Sequence, residues 1–466
     1  MNRSRKLLLA AAVLSFSALG TAAQNAQTVK PPDERFKTDI LVVVAHPDDE
    51  GGVTPYLARA IYDEHKRVAV VYGTHGGSGA NEYRRETGPA LADVREQEAR
   101  QACAALGITN VWFLSGKDTA SQNVLNSLAS WGHGENLEQL VRIVRLTRPE
   151  VIITWLPGVF IGENHGDHQA AGVLATEAFD LAADPTAFPA QIAGASKRLE
   201  PFLESLSPWQ PKKIYYFSDA NDEKQFAGTG PAYAVRVLSP SRKKTYARLA
   251  LDSAAHHLTQ FSLAQELSKM TDEQIDAMVN DPSKSWWTDP MVLIFGKSAI
   301  PTKRTDDVFA GISPESTGTE RAPGNIVSRI ESIPDVELAG PWLFYKEFRS
   351  KHALTDLPVA RNPEIAQRTG LTLSVPLIVR HAGGKEIDVK VAAPEGWNVT
   401  YGAGKWKLPA EPSTQLRVDI ATPTLAGDAL KNFKPQLVTV TVSENGKALG
   451  QVELRVGLIS GGLPQN

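Results

Sequence analysis

The chain has 466 residues, enough for two or three domains, and its 42% hydrophobic and 22% charged content is typical of globular proteins. A formal net charge of -3 at pH 7 provides no dominant basic field, which argues against a nucleic acid partner. The single cysteine, Cys103, excludes an intrachain disulfide, and its Ala-rich surroundings predict a buried, small apolar side chain. The basic pair Lys212-Lys213 is interpreted as solvated loop charge.

The segment Met1–Ala23 has the pattern of a signal peptide. Positively charged residues come first, the apolar run Leu7–Gly20 follows, and small residues would permit cleavage before Gln24. Because this run is shorter than the ~20 residues of a spanning helix, we expect no transmembrane segment. We therefore expect an exported protein, periplasmic or extracellular, with an uncleaved amphipathic anchor as the alternative.

Strands and helices alternate over the following part of the chain. Five consecutive apolar residues, Ile40–Val44, predict a fully buried parallel strand, which Pro47 brings to an end. The repeated β-α units predict a Rossmann-like, mostly parallel sheet, with Met291–Phe295 as a closing strand. The intervening predictions are strands at 68–72, 111–114 and 151–155 and helices near 93–106 and 137–146.

Ionisable residues are concentrated directly after the first strand. His46 and Asp48–Glu50 lie at its carboxyl end, where open α/β sheets bind ligands. A neutral imidazole and a carboxylate three residues apart can hold one Zn²⁺ ion, and a neighbouring carboxylate can act as a base. The alternative is that these residues cap the next helix.

A second cluster, His165-Gly166-Asp167-His168, follows the buried run Val151–Trp155. Two His/Asp clusters, each after a strand, favour a catalytic metal site with three protein ligands over helix capping. The glycine-rich turn Gly73–Gly79 could cradle a phosphate. It does not lead into a helix with the Gly-x-Gly-x-x-Gly pattern, so we interpret it as an active-site loop.

Beyond about residue 335 the hydrophobic pattern changes to a period of two. Alternating segments such as Leu371–Val375 and Val438–Val442 predict short strands, and Asn445-Gly446 predicts a hairpin turn. Several such strands indicate an immunoglobulin-like β-sandwich. The aromatic segment Pro341–Tyr345 lies between the linker and the first clear strand, and it could belong to either side.

Together the motifs resemble the PIG-L (LmbE-like) family of zinc-dependent N-deacetylases. The resemblance is carried by Ala45–Glu50 and by His165–His168, with Gly166 where a proline is frequent, a change expected to loosen the loop. Supporting segments are Arg95–Ala99, Arg148–Ile153 and Ala255–Gln260. The resulting domain division is a signal peptide at 1–23, a PIG-L deacetylase domain at 37–300, a linker at 301–334 and a β-sandwich domain at 335–466.

The resemblance implies roles for the clustered residues. His46, Asp49 and His168 are expected to bind Zn²⁺, the resemblance selecting His168 over His165. Asp48 is expected to act as general base. His165, if protonated, is expected to stabilise the oxyanion and protonate the leaving amine, with Asp167 holding it in that state. The alternative for His165 is a loop residue that caps the next helix.

Further residues are assigned by the same resemblance. Glu50 is expected to orient the turn that carries Asp48. Arg95 and Asp118 match positions that contact the sugar ring, although Arg95 could form helix ion pairs and Asp118 could cap a turn. His257 matches a histidine that lines the site, and the sequence does not separate it from His256.

The expected function is removal of the acetyl group from an N-acetylglucosamine-type sugar in a glycan or glycoconjugate. A non-catalytic exported sugar-binding protein is one alternative, but it would not need Asp48 beside Asp49. An amidase acting on a thiol-sugar conjugate is another, against which export argues. Because all these residues precede the linker, we expect a chain ending near Ile300 to fold and to act on a small sugar, unless Pro341–Tyr345 packs on the catalytic domain.

Overall fold

The computed structural model describes residues 33–161, 165–194, 204–220, 226–260, 263–283, 287–313, 333–360 and 362–460. The predicted signal peptide, Met1–Ala23, lies outside these ranges, as do residues 314–332 of the predicted linker. None of the helices in these ranges combines the length and the apolar character that crossing a bilayer requires.

The first part of the described chain is an α/β domain. Its strands are β1 (Ile40–Val44), β2 (Val68–Thr74), β3 (Asn110–Gly116), β4 (Val151–Trp155), β5 (Lys213–Phe217), β6 (Ala232–Tyr233), β7 (Met291–Val292) and β8 (Ile294–Ser298). Six of these described strands form one sheet in the order β3-β2-β1-β4-β5-β8. Neighbours are parallel except for β8, which runs antiparallel to β5 at the edge.

The strand order explains why the two His/Asp clusters meet. The chain moves outward from β1 to β2 and β3, and then returns to place β4 on the other side of β1. The carboxyl ends of β1 and β4 therefore flank the point at which the strand order reverses, and open α/β sheets bind ligands at such a point. All residues of both strands are buried, as their continuous apolar runs predict.

Helices cover the sheet and lead away from its strands. In chain order they are α1 (Thr54–Tyr62), α2 (Gly88–Ala105), α3 (Val124–Trp131), α4 (His133–Thr147), α5 (Gly166–Leu181), α6 (Tyr246–Ala254), α7 (Leu263–Leu267) and α8 (Asp272–Val279).

Cys103 on α2 is fully buried, which confirms the prediction for its side chain. Lys212 and Lys213 are also buried, so their assignment to solvated loop charge is wrong. The Lys213 Nζ donates to the backbone oxygen of Ala310 over 2.6 Å.

The second part is rich in strands. They are β9 (Val336–Leu338), β10 (Glu364–Arg368), β11 (Thr372–Arg380), β12 (Glu386–Ala392), β13 (Asn398–Tyr401), β14 (Gly404–Lys407), β15 (Ser413–Ala421), β16 (Gln436–Glu444) and β17 (Lys447–Ile459). The short helix α10 (Gly427–Lys431) precedes β16, and α9 (Pro341–Lys351) follows β9. Within the described residues, β10-β17-β16-β12-β14 form one sheet and β13-β15-β11-β9 another.

The two sheets share one apolar core, as the period-two pattern predicts. On β11 the side chains of Leu373, Val375, Leu377 and Val379 are buried while their neighbours are more exposed. The hairpin at Asn445-Gly446 is confirmed, because it joins antiparallel β16 and β17 and both residues have positive φ. The immunoglobulin-like assignment stays a prediction; we refer to this part as the carboxy-terminal β-domain.

The aromatic segment at Pro341–Tyr345 forms the first turns of α9 and contacts both cores. Trp342 packs against the core of the carboxy-terminal β-domain, whereas Tyr345 and Phe348 belong to the core of the α/β domain. The Tyr345 hydroxyl donates to Oε1 of Gln169 on α5 over 2.5 Å. The possibility that these aromatics pack on the first domain, which the sequence left open, is therefore the one that the structure supports.

Candidate metal and catalytic site

The ligands predicted for the metal lie together at the ends of β1 and β4. Ligand atoms of His46, Asp49 and His168 all fall within 4.8 Å of one another, although the residues come from two segments more than a hundred positions apart. Two imidazoles and one carboxylate are a donor set that suits a catalytic zinc site with an open position. The residues therefore fit the metal that the sequence predicts, and their role as ligands stays a prediction.

Hydrogen bonds to one carboxylate oxygen of Asp49 fix the side chain, and the other oxygen faces His168. Its Oδ2 accepts hydrogen bonds from the backbone N–H groups of Ala45 and His46, over 2.9 and 2.8 Å, and from Nε1 of Trp155 over 2.9 Å. Its Oδ1 lies 3.3 Å from Nε2 of His168. Burial alone would raise the pKa of Asp49, but the charges of His168 and His46 hold it well below the usual range. Asp49 is therefore held as a carboxylate at this position.

Trp155 positions two of the three predicted ligands. Its ring stacks on that of His168 with centroids 4.1 Å apart and planes 2° from parallel, while its Nε1 holds Asp49. The sequence placed Trp155 at the end of a buried strand and gave it no role in the site. An aromatic residue at the last position of a strand that ends at the site is the only signal that could have indicated one.

His46 is surrounded by carboxylates. Its Nε2 lies 3.1 Å from Oδ1 of Asp118 and 3.3 Å from Oδ2 of Asp167, and its Nδ1 lies 3.6 Å from Oδ2 of Asp49. Burial would lower the pKa of His46, but the charge of Asp49 and the contacts with Asp118 and Asp167 outweigh it and raise the pKa well above the usual value. The concentration of negative charge favours a cation here, whether a proton or a metal ion.

Asp118 and Asp167 are tied to the loops on the other side of His46. The Ser78 N–H in the glycine-rich loop donates to Oδ2 of Asp118 over 2.8 Å. Both Asp167 oxygens accept from Thr119, one from its N–H and the other from its hydroxyl, each over 2.8 Å. The structure thus places Asp118, a predicted sugar contact, in hydrogen-bond reach of a predicted metal ligand.

Asp48 occupies a strained backbone conformation next to the cluster. Its φ of 117° is rare for any residue other than glycine, and such outliers concentrate at functional sites. Its N–H donates to Oε2 of Glu50 over 3.2 Å, and the orienting role of Glu50 stays a prediction. Burial raises the pKa of Asp48, opposed by the charge of Arg95, while 36% of the side chain remains exposed toward the cavity.

Arg95 is buried and holds the turn that carries Asp48. Its guanidinium donates to the backbone oxygens of Gly76 and Pro47 over 2.9 and 2.6 Å and to Oδ1 of Asp48 over 3.1 Å. Gly76 has a φ of 70°, and a Cβ at this position would lie 2.5 Å from the guanidinium. Arg95 therefore braces the catalytic turn; a contact with the sugar, which the resemblance implied, stays a prediction.

His257 joins the site through Glu50. Its Nε2 lies 2.6 Å from Oε1 of Glu50, and both side chains are buried. Burial would lower the pKa of His257, but the charge of Glu50 and the hydrogen bond to it raise the pKa. His257 lines the cavity described below, so the structure favours His257 over His256 as the residue near the site.

His165 caps α5 and lies beside the other two histidines. Its Nδ1 accepts the Asp167 N–H over 3.2 Å, and its ring centroid is 4.8 Å from that of His46. Burial, together with the charges of His46 and His168, lowers the pKa of His165 to about 3. Within the described residues, Asp167 thus contacts His165 through its backbone, whereas its carboxylate faces His46.

Gly166 packs tightly against the loop before α3 and does not loosen the chain, so that expectation is wrong. Its N–H donates to the backbone oxygen of Ser121 over 2.8 Å. A Cβ on Gly166 would lie 2.6 Å from Oγ of Ser127 and 2.9 Å from the backbone of Asn123. A glycine is required by this close approach.

The predicted ligands, Asp48 and the other two histidines described above, His165 and His257, face one cavity of about 1440 Å³. One wall is polar and carries the predicted ligands, Asp48 and the glycine-rich loop, which supports its interpretation as an active-site loop. The lining also includes apolar side chains, those of Phe217, Phe226, Trp287, Pro290, Met291 and Ile294. The size exceeds that of most small-molecule sites and leaves room for more than one sugar unit.

Comparisons with known proteins match part of the chain to a family model. Residues 41–179 match the family model described as PIG-L: GlcNAc-PI de-N-acetylase. A 1D-myo-inositol 2-acetamido-2-deoxy-alpha-D-glucopyranoside deacetylase of Frankia alni is 28% identical over 304 residues, covering 58% of this chain and 99% of the relative. A deacetylase of the same name from Frankia casuarinae is 35% identical over 194 residues, covering 38% of this chain and 57% of the relative.

Among solved structures, N,N'-diacetylchitobiose deacetylase from Pyrococcus horikoshii has 19% identity and a TM-score of 0.35, covering 50% of this chain and 76% of that one. The family match includes both His/Asp clusters, which carry the three predicted metal ligands. Residues 41–179 are therefore a PIG-L domain, and PIG-L proteins are metal-dependent N-deacetylases.

Proposed function

We propose that this protein is a zinc-dependent hydrolase that removes the N-acetyl group from an N-acetylglucosamine-type sugar in a glycan or glycoconjugate. The observation that carries the proposal is the position of Asp48, whose carboxylate opens on the same cavity as the three predicted ligands. The names of the relatives support the class of substrate, since each acts on a 2-acetamido-2-deoxy-glucopyranoside. A sugar-binding protein without activity would not need an aspartate with a strained backbone beside the predicted ligands.

The proposed chemistry divides among the residues of the cavity. A bound zinc ion supplies a Lewis acid that activates water near neutral pH. Asp48 takes the proton of the attacking water and returns it to the departing amine; burial raises its pKa, and Arg95 keeps the carboxylate oriented. Asp49 and His168 are held in place by Trp155, which limits their movement during the reaction.

His165 is proposed to contact the carbonyl oxygen of the substrate. Because its Nδ1 accepts the Asp167 N–H and its pKa is lowered to about 3, the neutral ring carries its proton on Nε2. That N–H can donate to the oxygen on which negative charge develops. This differs from the protonated form considered from the sequence, and it requires no charge on His165 before the reaction.

Export and the architecture of the second domain complete the proposal. The pattern of Met1–Ala23 supports export, and export in turn argues against a thiol-sugar conjugate as the substrate. The core shared by two sheets, in which all pairs except β10 with β17 are antiparallel, supports an immunoglobulin-like sandwich. An exported enzyme with a large cavity would meet glycans rather than cytosolic metabolites.

The test is acetate release from a panel of N-acetylated sugars and glycans. We expect the purified protein to release acetate, a chelator to abolish release and added Zn²⁺ to restore it. The matched control is Asp48→Asn, which keeps the proposed ligands and loses the proposed base. Binding of the sugars without acetate release under any metal condition would replace the proposal with the sugar-binding alternative.

A further inference from the structure

The cavity is not built by the α/β domain alone. Arg368, the last residue of β10, is part of its lining, and it is the one lining residue in the described chain that comes from the carboxy-terminal β-domain. The other described lining residues lie between His46 and Ile294. The second domain therefore contributes a positively charged side chain to the space that the substrate would occupy.

The strand that carries Arg368 is docked on a loop of the catalytic site. Glu364, at the start of β10, accepts the Ile161 N–H at Oε2 over 3.0 Å, and its other oxygen pairs with Arg455. Its own backbone oxygen accepts from Nε1 of Trp342 over 3.2 Å. Ile161 lies in the connection between β4 and α5, four residues before His165.

Close packing reinforces this contact. On β17, beside β10, a Cβ at Gly457 would lie 3.0 Å from Cγ2 of Ile161. Arg368 itself is paired with Ile459, and the next N–H, that of Thr369, donates to the Ile459 oxygen over 3.0 Å. The backbone of Arg368 is thus held in a sheet that packs on the connection between β4 and α5.

Arg368 differs from the other arginines of the cavity in its partners. Arg95 bonds to two backbone oxygens and to Asp48, and Arg236 lies 3.3 Å from Asp289 and bonds to the Trp287 oxygen. The half-buried Arg368 guanidinium has no hydrogen bond or ion pair with the residues that the structure describes. Its five donors are available to a ligand.

We propose that Arg368 binds an anionic group of the substrate, a carboxylate or a phosphate, where the carboxy-terminal β-domain lines the cavity. The proposal rests on the proposed function, and it adds a specificity determinant to it. A guanidinium matches the two oxygens of either anion with a pair of hydrogen bonds. Asp48, Asp49 and Asp118 also line the cavity, and their carboxylates would repel an anion, so the anionic group is directed to Arg368 rather than to these residues.

The test compares anionic and neutral sugars with the full-length enzyme. The substrates are N-acetylglucosamine 1-phosphate, the carboxylate-bearing 3-O-lactyl ether of N-acetylglucosamine, and the neutral methyl N-acetylglucosaminide. We expect Arg368→Ala to lower kcat/KM for an anionic sugar relative to the neutral one by about 10- to 100-fold, mainly through KM, and Arg368→Lys to restore part of it. The two anionic arms distinguish a phosphate from a carboxylate.

The matched control is Arg417→Ala, which removes the same charge from an exposed position of the same domain, where Arg417 pairs with Asp419. An unchanged ratio of anionic to neutral kcat/KM in Arg368→Ala, or an equal change in Arg417→Ala, would overturn the proposal. Calorimetric binding of the deacetylated products, glucosamine 1-phosphate and methyl glucosaminide, separates the two proposals. Tighter, Arg368-dependent binding of the phosphate without any acetate release would leave the anion site standing and reject the deacetylase.

Discussion

Truncation near Ile300 tests how far the two parts of the chain are one structural unit. Such a chain would retain the site and all predicted catalytic residues, and the sequence predicted that it folds. The structure indicates instead that truncation would remove part of the core of the α/β domain. That core includes five side chains after Ile300: Val308, Tyr345, Phe348, Leu354 and Leu357. Each is at most 6% exposed.

The magnitude of this loss can be compared with the stability of a domain. Burial of a side chain of this kind contributes roughly 1.5–3 kcal/mol, so the five together contribute roughly 7–15 kcal/mol. This is as large as the whole free energy of unfolding of a typical domain, about 5–15 kcal/mol. Loss of the Tyr345–Gln169 hydrogen bond would add to it. We therefore expect the chain that ends at Ile300 to lack a cooperative folded state.

The assay is thermal unfolding followed by circular dichroism, with the soluble fraction measured in parallel. The matched control is a chain ending at Ala360, which keeps all five side chains and loses the strands from β10 onward. We expect the control to unfold cooperatively and the shorter chain to aggregate or to melt without a transition. A chain ending at Ile300 with the melting temperature of the full protein, and full turnover of a small N-acetylated sugar, would refute this reasoning.

Three further predictions concern the metal, the base and a pH-dependent contact. His46→Ala and His168→Ala should each lose stoichiometric zinc, measured by elemental analysis, while circular dichroism shows a folded chain; full occupancy in both would reject them as ligands. Asp48→Asn should retain zinc and lose about 10²–10⁴-fold in turnover, whereas Asp49→Asn should weaken zinc binding itself, and the reverse pattern would exchange their roles. Asp180 forms hydrogen bonds with Lys297 and His352, and these contacts outweigh burial and lower the pKa of Asp180 below 3.8. The contribution of Asp180 to the free energy of unfolding is therefore present above pH 3.8 and is lost as the pH falls through the lowered pKa. Urea unfolding should therefore separate Asp180→Asn from the unaltered protein at pH 7 and bring the two together near pH 2; an equal difference at both pH values would contradict this.

The central sheet and the location of the site were accessible from the sequence because their signals are local. The apolar run Ile40–Val44 specifies a buried strand by itself, and His46 and Asp49 lie within a few residues of its end. His168 lies in the first turn of α5, the helix that follows β4, so its approach to the first cluster depends on β1 and β4 being neighbours. Parallel sheets with right-handed crossovers restrict the strand order enough for that expectation.

Contacts between distant segments were not accessible in the same way. Glu50 and His257 are 207 positions apart, and their hydrogen bond has no counterpart in any local pattern. The same holds for the carboxylate of Asp167, which the sequence assigned to its neighbour His165 but which faces His46. Which acid faces which histidine depends on side-chain directions at the ends of different elements, and a sequence motif does not specify these directions.

The carboxy-terminal part shows the same limit at the level of domains. Alternation in β11 and β16 predicts strands, because one face of each is buried in a common core. The aromatic residues of α9 are apolar in either environment, so composition cannot tell which core receives Tyr345 and which receives Trp342. The position of Arg368 in the cavity is still harder to predict from the sequence, since an arginine at the end of an edge strand is ordinarily a solvated residue.

The positive φ of Asp48 has a consequence for directed evolution of this enzyme. A residue held at φ 117° costs about 1–3 kcal/mol, and glycine adopts that conformation without the steric penalty. Selection for heat resistance alone should therefore enrich Asp48→Gly, a variant that gains stability and loses the proposed base. A library selected for thermostability therefore needs a concurrent screen for acetate release, because the substitution at position 48 that raises stability most would also remove the proposed base.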